Sequence, residues 1–328
     1  MAGDGYNGAM SNRELVVLGT ASQAPTRYRN HNGYLLRWDG TDLLFDPGEG
    51  TQRQMLWAGV TASRIRAICI THFHGDHCLG LPGVLQRMAL DGVAHPVAVL
   101  FPASGQVYFD RLRSASVFRD DGLDIRPVAV SGDGPVLTLE PSLTITARRL
   151  DHEPDTFGWR VEEAPGRHLL RARLDELGIG GPAVGQLLGA GALEIDGRTV
   201  TIDDVSVRRR GQAMAFVMDT GVCAAAAELA VGADLAVCEA TFAATEEHLA
   251  RRWRHLTAAD AANVAVEAGV RLLVLAHFSQ RYPDVTPLVE EAAARFPSVV
   301  AASDLDRIAV PRRPRPETTA AGLAQVIP

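Results

Sequence analysis

The ten residues THFHGDHCLG, positions 71 to 80, follow directly on the apolar run RAICI and place three histidines and one aspartate within six positions. In an extended chain, residues two apart share a face, so His72 and His74 can point toward one centre. The glycine that follows permits a sharp turn, which swings Asp76 and His77 toward a neighbouring point. Imidazole and carboxylate donors without a thiolate suit Zn²⁺, with Mn²⁺ as an alternative. The stretch predicts a two-position metal site, against the alternative of a polar strand end with solvated histidines.

Short apolar and β-branched runs recur on both sides of this stretch, and most are bounded by turn residues, which is typical of strands in a covered sheet. These runs are LVVLGT, DLLFD, AICITH, VAVLFP, LTITARRLDH, AMAFVMDT, LAVCEAT, LLVLAHFS and SVVAASD. Segments such as EGTQRQMLWAG and TAADAANVAVEAG lie between them and have the three- and four-residue apolar spacing of helices. The pattern predicts an α/β fold.

Polar residues stand at or just past the ends of these predicted strands. They are Asp46, His72, His152, Asp219, Glu239 and His277. Open α/β sheets usually build their sites at the carboxyl ends of strands. We therefore expect these scattered residues to share one edge of the structure.

Composition limits the class of protein. The 328 residues are 47% hydrophobic and 22% charged, as expected of a globular chain with ample core. No run approaches the roughly 20 apolar residues that cross a bilayer, and the first residues do not resemble a secretory signal, so we expect a cytoplasmic protein without a membrane partner. The four cysteines form no CxxC pair, which argues against a disulfide framework and a thiolate zinc site.

The net charge of −7 argues against non-specific coating of nucleic acid. Because the chain contains no lysine, any phosphate contact must use arginine or a backbone amide. Residues 163–212 are rich in glycine and arginine and interrupt the strand pattern, which predicts an arm inserted into a main domain of residues 13–310. The Pro- and Arg-rich residues 311–328 predict a loosely ordered tail.

The stretch THFHGDH resembles the HxHxDH motif of the metallo-β-lactamase superfamily. This resemblance implies an αββα sandwich with a two-metal site at the strand ends. It implies His72, His74 and His152 as ligands of one metal, Asp76, His77 and His277 as ligands of the other, and Asp219 as a bridge. Asp46, in LLFDPGEGTQRQM, is similar to the aspartate that orients the ligand loop without touching metal; the alternative is that it only caps a turn.

A wider set of stretches, from about Leu15 to Asp306, resembles the ribonuclease Z family within that superfamily. The stretches are LGTASQAPTRYRNHNGYLL, LLFDPGEGTQRQML, THFHGDHCLGLPGVLQRM, CEATF, HLTAADAA and HFSQRY. The resemblance implies a homodimeric, zinc-dependent endoribonuclease with two Zn²⁺ per subunit. Its reaction would remove the 3′ trailer of precursor tRNA by metal-hydroxide attack on the phosphodiester and leave a 3′-OH on the tRNA.

The same resemblance implies roles for individual residues. Asp76 would be the general base, and His255 with Glu239 would supply a proton to the leaving 3′ oxygen. The implied substrate contacts are Arg27, Arg29 and Asn30 of PTRYRN, and Ser279 and Arg281 of SQRY. From the residues alone, His255 could have a local role at a helix start, and Glu239 could simply accept from a backbone amide.

Three departures from the family keep alternatives open. Cys238 stands where the family has the histidine of its His-Glu-Ala-Thr motif. Leu256 stands where the family has the serine of its His-Ser-Thr motif. Residues 166–212 carry seven arginines against six acids, so the arm is nearly neutral where the family has lysines. The alternatives are a phosphodiesterase or sulfatase of the same superfamily that acts on a small ester, and a non-catalytic RNA-binding protein that metal stabilises.

Overall fold

A computed structural model of the chain describes residues 13–313. The strands are β1 (Arg13–Gly19), β2 (Gly33–Trp38), β3 (Thr41–Phe45), β4 (Ile65–Cys69), β5 (Val97–Pro102), β6 (Ile125–Val130), β7 (Gly134–Leu139), β8 (Leu143–Arg149), β9 (Phe157–Glu163), β10 (Gly166–Leu169), β11 (Ala192–Ile195), β12 (Arg198–Thr201), β13 (Ser206–Arg209), β14 (Ala213–Val217), β15 (Leu235–Glu239), β16 (Leu273–Ala276), β17 (Val299–Ala301) and β18 (Arg307–Ala309).

The α-helices are α1 (Thr51–Trp57), α2 (Gly75–Cys78), α3 (Leu81–Leu90), α4 (Gln106–Arg113), α5 (Arg171–Glu176), α6 (Pro182–Ala190), α7 (Ala224–Ala230), α8 (Glu247–Trp253), α9 (Ala258–Ala268) and α10 (Thr286–Ala293). Short 3-10 helices cover Ala62–Arg64, Ala103–Gly105, Ile202–Val205 and Ala244–Glu246.

Two seven-stranded sheets form the main unit, residues 13–162 and 213–312. The first sheet has the order β18-β1-β2-β3-β4-β5-β6, and the second has the order β17-β16-β15-β14-β9-β8-β7. Strands β3 to β6 run parallel, as do β14 to β17. Parallel strands end at a common edge, so the segments that follow them are brought together.

Alternating side chains of the strands fill separate cores on the two faces of each sheet. In β1, Leu15 and Val17 belong to the core between the sheets, whereas Val16 and Leu18 belong to the core that α1, α3 and α4 cover. On the second sheet, α7, α9 and α10 cover the outer face, which Ala215 of β14 helps to form. Strands buried on both faces read as continuous apolar runs, as these do. The predicted αββα sandwich is confirmed.

The segment Glu163–Gln212 forms a compact unit of its own. Its small apolar core contains Leu174, Ile179, Leu187, Val200 and Val205, and its strands pair as β10 with β13 and β11 with β12. The division into a main domain, an inserted arm and a tail stays a prediction, and residues 314–328 of the predicted tail lie outside the described residues. Within residues 13–313, no helix has the length and apolar character needed to cross a bilayer.

Candidate metal centre

The first two histidines of the motif, His72 and His74, lie just past the end of β4 in the first sheet. His72 is fully buried, and Nε2 of its ring lies 2.9 Å from Nδ1 of His74. Two ring nitrogens at this distance can form one hydrogen bond or direct two lone pairs at a shared cation. The sharp turn expected at Gly75 is the first turn of α2, which begins at that glycine, and this turn carries Asp76 and His77.

The structure brings the seven predicted metal ligands together. In one group the ligand atoms lie within 4.8 Å of one another, and its members are His72, His74, His152 and Asp219. The same spacing holds in a second group, formed by Asp76, His77 and His277. Oδ2 of Asp219 lies 3.8 Å from Nε2 of His72 and 3.3 Å from Nε2 of both His77 and His277. Asp219 therefore lies between the groups.

Hydrogen bonds at Nδ1 orient two of the predicted ligand histidines. Nδ1 of His77 donates to Oδ2 of the buried Asp46 at 2.8 Å. Nδ1 of His152 donates to the backbone carbonyl of Arg254 at 3.0 Å. When Nδ1 carries the proton, the Nε2 lone pair is left to face the centre. These rings are thus held in the tautomer that binds metal through Nε2.

Three buried polar atoms of the site make no hydrogen bond in the described part of the chain. Nε2 of His152, Nε2 of His277 and Oδ1 of Asp219 are buried and have no hydrogen-bond partner among the described residues. Leaving such acceptors buried without a partner is costly, whereas a cation satisfies several of them together. The nitrogen and oxygen donor set fits Zn²⁺ or Mn²⁺. Burial raises the pKa of the adjacent Cys78 thiol to about 12, so thiolate ligation is disfavoured there.

The imidazoles of the site differ in charge. Burial acts to lower the pKa of His77, but the carboxylates of Asp76 and Asp219 outweigh it and hold that pKa well above its usual range. Burial, with the neighbouring His77, holds the pKa of His72 well below its usual range, so this ring is neutral and able to ligate. Burial acts to raise the pKa of Asp219, but the charges of His277 and His77 outweigh it and hold that pKa well below the usual range. Neutral nitrogen and ionised oxygen are the forms that ligate metal.

An acid pair lies against the centre. Glu239, fully buried at the end of β15, accepts from Nδ1 of His255 at 2.9 Å and from the backbone N–H of Thr220 at 2.6 Å. Burial acts to lower the pKa of His255, but the Glu239 carboxylate outweighs it and raises that pKa to about 9. The ring of His255 lies 5.0 Å, centroid to centroid, from that of His152. A protonated imidazole thus stands beside the ligand groups.

Backbone conformation is strained around the centre. Asp46, Arg254 and His277 have positive φ angles of 43°, 52° and 58°. This region costs a residue other than glycine on the order of 1–3 kcal/mol and is found where packing enforces it, often at functional sites. At His277 the conformation accompanies a hydrogen bond between Nδ1 and the Thr241 hydroxyl at 2.7 Å.

The predicted substrate residues divide into two sets. Ser279 and Arg281 line a cleft of about 700 Å³ together with His74, His152 and His277. Arg27, Arg29 and Asn30 are absent from the described residues that line it. Arg29 donates to the carbonyl of Pro283 at 3.2 Å, and the Asn30 N–H donates to Asp304 at 2.7 Å.

Comparisons with known proteins agree with this geometry. A family model described as the metallo-beta-lactamase superfamily matches residues 26–170. A ribonuclease Z of Nocardia farcinica is 56% identical over 93% of this chain and 100% of its own length. A ribonuclease Z of Salinispora arenicola is 55% identical over 93% of this chain and 98% of its own length.

The chain belongs to the ribonuclease Z family.

A solved structure of the short form of human tRNase Z agrees with that placement, with a TM-score of 0.66, 25% identity, and coverage of 91% of this chain and 100% of its own. As a member of this family, the chain is a metal-dependent nuclease of the hydrolase class. The family resemblance inferred from the sequence is confirmed.

Several residues of the centre were not found from the sequence. Thr241, the carbonyl of Arg254, and Asn32, whose Nδ2 lies 3.2 Å from Nε2 of His77, contact the ligand histidines. Thr241 stands two residues after Glu239 in CEATF, where its place at a strand end was a usable signal. A backbone carbonyl carries no sequence signal of its own.

Proposed function

We propose that this chain, an endonuclease that processes the 3′ end of tRNA, holds two Zn²⁺ ions between the ligand groups described above. When bound, the two ions supply a nucleophile from water at neutral pH and neutralise charge on the phosphate oxygens. The observation that carries this proposal is the set of buried, unpartnered atoms on His152, Asp219 and His277.

The side chains have separate proton-transfer roles in the proposed reaction. Asp76 accepts the proton of the attacking water as general base; its Oδ2 lies 3.3 Å from Nε2 of His77 and 3.5 Å from Nε2 of His277. His255 donates a proton to the leaving 3′ oxygen, and Glu239 keeps this imidazole charged and oriented. The products are a tRNA with a 3′-OH and a trailer with a 5′ phosphate.

A 5′-labelled precursor tRNA tests this proposal together with metal analysis of the purified protein. We expect two zinc ions per chain and a product that ends at the discriminator base. His74→Ala should abolish the product and reduce the metal content. Intact precursor under conditions in which bis(p-nitrophenyl) phosphate is hydrolysed would instead favour a small-ester phosphodiesterase.

Substrate contacts form a second part of the proposal. Ser279 and Arg281 lie at the cleft, where they are suited to contact the scissile phosphate or its neighbour. Arg27, Arg29 and Asn30 are assigned to more distant parts of the RNA. Burial lowers the pKa of Arg29, which nevertheless remains charged at neutral pH.

We also propose that residues 163–212 bind tRNA through backbone rather than charge. Four of the arm's arginines have carboxylate partners within it: Arg167 with Asp203, Arg171 with Asp175, Arg173 with Glu176, and Arg209 with Glu163. In contrast, a Cβ added at Gly180, Gly185 or Gly189 would meet nothing within 4 Å. Packing therefore does not require these glycines, which is consistent with close approach of a ligand to the backbone.

The proposed homodimer has a candidate face on α1 and α3. Leu56, Trp57 and Leu90 are 61%, 58% and 83% exposed. Exposed large apolar side chains that lie together are typical of a protein–protein interface, because association removes them from water. A second copy of the chain is the proposed occupant. Sedimentation of Leu56→Asp and Leu90→Asp variants tests it: a shift from dimer to monomer supports this face, and an unchanged dimer contradicts it.

A further inference from the structure

The sequence RRWRH, residues 251–255, brings an exposed aromatic ring to the edge of the active-site cleft. Trp253 is the last residue of α8 and is 55% exposed. It lines the cleft of about 700 Å³ in company with Arg252, Arg254 and His255. Ala250 is the buried residue of this helix, so Trp253 does not serve as its anchor in the core.

One face of the indole is already covered by a cation. The guanidinium carbon of Arg252 lies 5.0 Å from the centroid of the Trp253 ring. The side chain is nevertheless 55% exposed, so part of the ring surface is available to a second planar group. Stacking on a nucleobase would bury that part, and every base presents a suitable π surface.

Two arginines flank Trp253 in the sequence and line the same cleft. Arg252 has no carboxylate partner among the described residues, and the partner of Arg254 is Asp151, at 3.7 Å, with both side chains half exposed. Such a distant, solvated pair neutralises little. An exposed aromatic ring between two cations suits a ligand that joins a flat apolar base to phosphates.

We propose that Trp253 stacks on the nucleobase immediately 5′ of the cleaved bond, with Arg252 and Arg254 contacting the phosphates on either side. The choice of side rests on the proposed function, because it takes His255 as proton donor to the leaving 3′ oxygen. The nucleotide that carries this oxygen lies nearest His255, and Trp253 is two residues away along the same edge. Trp253 is therefore a substrate-positioning residue.

Tryptophan fluorescence tests the contact without any cleavage. Of the four tryptophans, Trp38 and Trp159 are buried, so Trp57 and Trp253 are the exposed emitters. We expect a tRNA that ends with the discriminator base to quench the emission of the full-length metal-loaded protein. The quenching should persist in Trp57→Phe and disappear in Trp253→Phe. Quenching that survives in Trp253→Phe would overturn the proposal.

Affinity measurements test the partner of the ring. Trp253→Ala should weaken binding of the same tRNA by about 10-fold, the scale of one lost base–aromatic stack, and Trp253→Phe should recover part of the loss. The control Val266→Ala, at another side chain that is 55% exposed, should bind as the wild type does. When the 3′-terminal nucleotide of the tRNA is abasic, Trp253→Ala should cause no further loss of affinity. An equal loss on the abasic RNA would overturn the proposal.

A further experiment tests whether the stacked base lies 5′ or 3′ of the scissile phosphate. In an uncleaved precursor complex, with Ca²⁺ replacing the native metal, an abasic nucleotide 5′ of the scissile phosphate should remove the effect of Trp253→Ala, whereas one on the 3′ side should leave it. The reverse result would overturn the assignment. His255→Ala should keep the fluorescence quenching while losing cleavage, so failure of the proposed proton donor and failure of the stacking contact give different results.

Discussion

Asp46 and His77 are fully buried and joined by a hydrogen bond of 2.8 Å between Oδ2 of the carboxylate and Nδ1 of the ring. The same carboxylate accepts from the backbone N–H of Thr71 at 2.7 Å and from its hydroxyl at 2.8 Å. Asp46 thus connects the end of β3 to the segment that carries the ligands. These hydrogen bonds agree with the predicted role of Asp46, which is to orient a ligand without binding metal.

Asp46→Asn should lower metal affinity by about 10- to 100-fold, since an amide cannot accept all of these hydrogen bonds and the tautomer of His77 is no longer enforced. Competition with a chromogenic chelator measures this. Asp42→Asn is the matched control, because Asp42 is equally buried and pairs with Arg37 and Arg64 away from the ligands. Metal affinity equal to that of the wild type in Asp46→Asn would contradict the positioning role.

The sequence could predict that these seven side chains meet, because the end of a strand is a local feature of a sequence. Each ligand follows an apolar run, and parallel strands that end at one edge bring such positions together. His152 reaches the same site from outside the parallel strands: it lies three residues past β8, which pairs antiparallel with β7, and its ring centroid is 5.1 Å from that of His72. The roles of these ligands in holding metal stay predictions, whereas the fold and the family are confirmed.

Loop residues could not be assigned in the same way. Asn30 is in the predicted substrate loop, but its N–H donates to Asp304, which also accepts from Thr20 at 2.8 Å and from Gln54 at 3.0 Å. These partners lie far apart in sequence, with 250 positions separating Gln54 from Asp304. A polar residue that ties loops together and one that contacts RNA are alike in sequence. Two pairs of the arm, Arg167 with Asp203 and Arg209 with Glu163, were hidden for the same reason.

His255→Ala should reduce cleavage of precursor tRNA by about 10²- to 10⁴-fold, the usual contribution of general acid catalysis. It should reduce hydrolysis of bis(p-nitrophenyl) phosphate far less, because nitrophenolate is stable enough to leave without a proton. Comparing kcat for the two substrates separates proton donation from metal binding. His74→Ala is the control and should abolish both reactions, since it removes a predicted ligand. Equal losses on both substrates in His255→Ala would argue against a general acid.

Arg254→Gly should raise the free energy of unfolding by about 0.5–1 kcal/mol, although it removes a side chain from the cleft. Arg254 has φ 52° and ψ 57°, a left-handed conformation that costs an L-residue on the order of 1–2 kcal/mol, and glycine adopts it freely. The pair with Asp151, at 3.7 Å and half exposed, contributes little.

Arg252→Gly is the matched control for this prediction. It removes the same charge from the same cleft, but from within helix α8, where glycine costs about 1 kcal/mol. Urea unfolding of the two variants should therefore give shifts of opposite sign, while each variant loses about one unit from the salt dependence of RNA binding. Destabilisation of both variants to the same extent would mean that the conformation of Arg254 is not strained.

Replacing two glycines of the arm should increase its stability but weaken its binding of tRNA. Gly185 and Gly189 are exposed on α6, and a Cβ at either position meets nothing within 4 Å. Replacing both with alanine should stabilise this helix by about 0.5–1 kcal/mol per site. If tRNA approaches the backbone there, the added methyl groups should weaken binding of full-length precursor tRNA by several fold. A short acceptor-stem substrate without the elbow should bind as before.

Gly40→Ala, at an exposed turn of the main unit with equal space, is the control and should leave both affinities unchanged. Unchanged affinity for full-length tRNA in the double variant would show that the arm does not bind RNA through this backbone, and would leave the contacts at the cleft as the source of affinity.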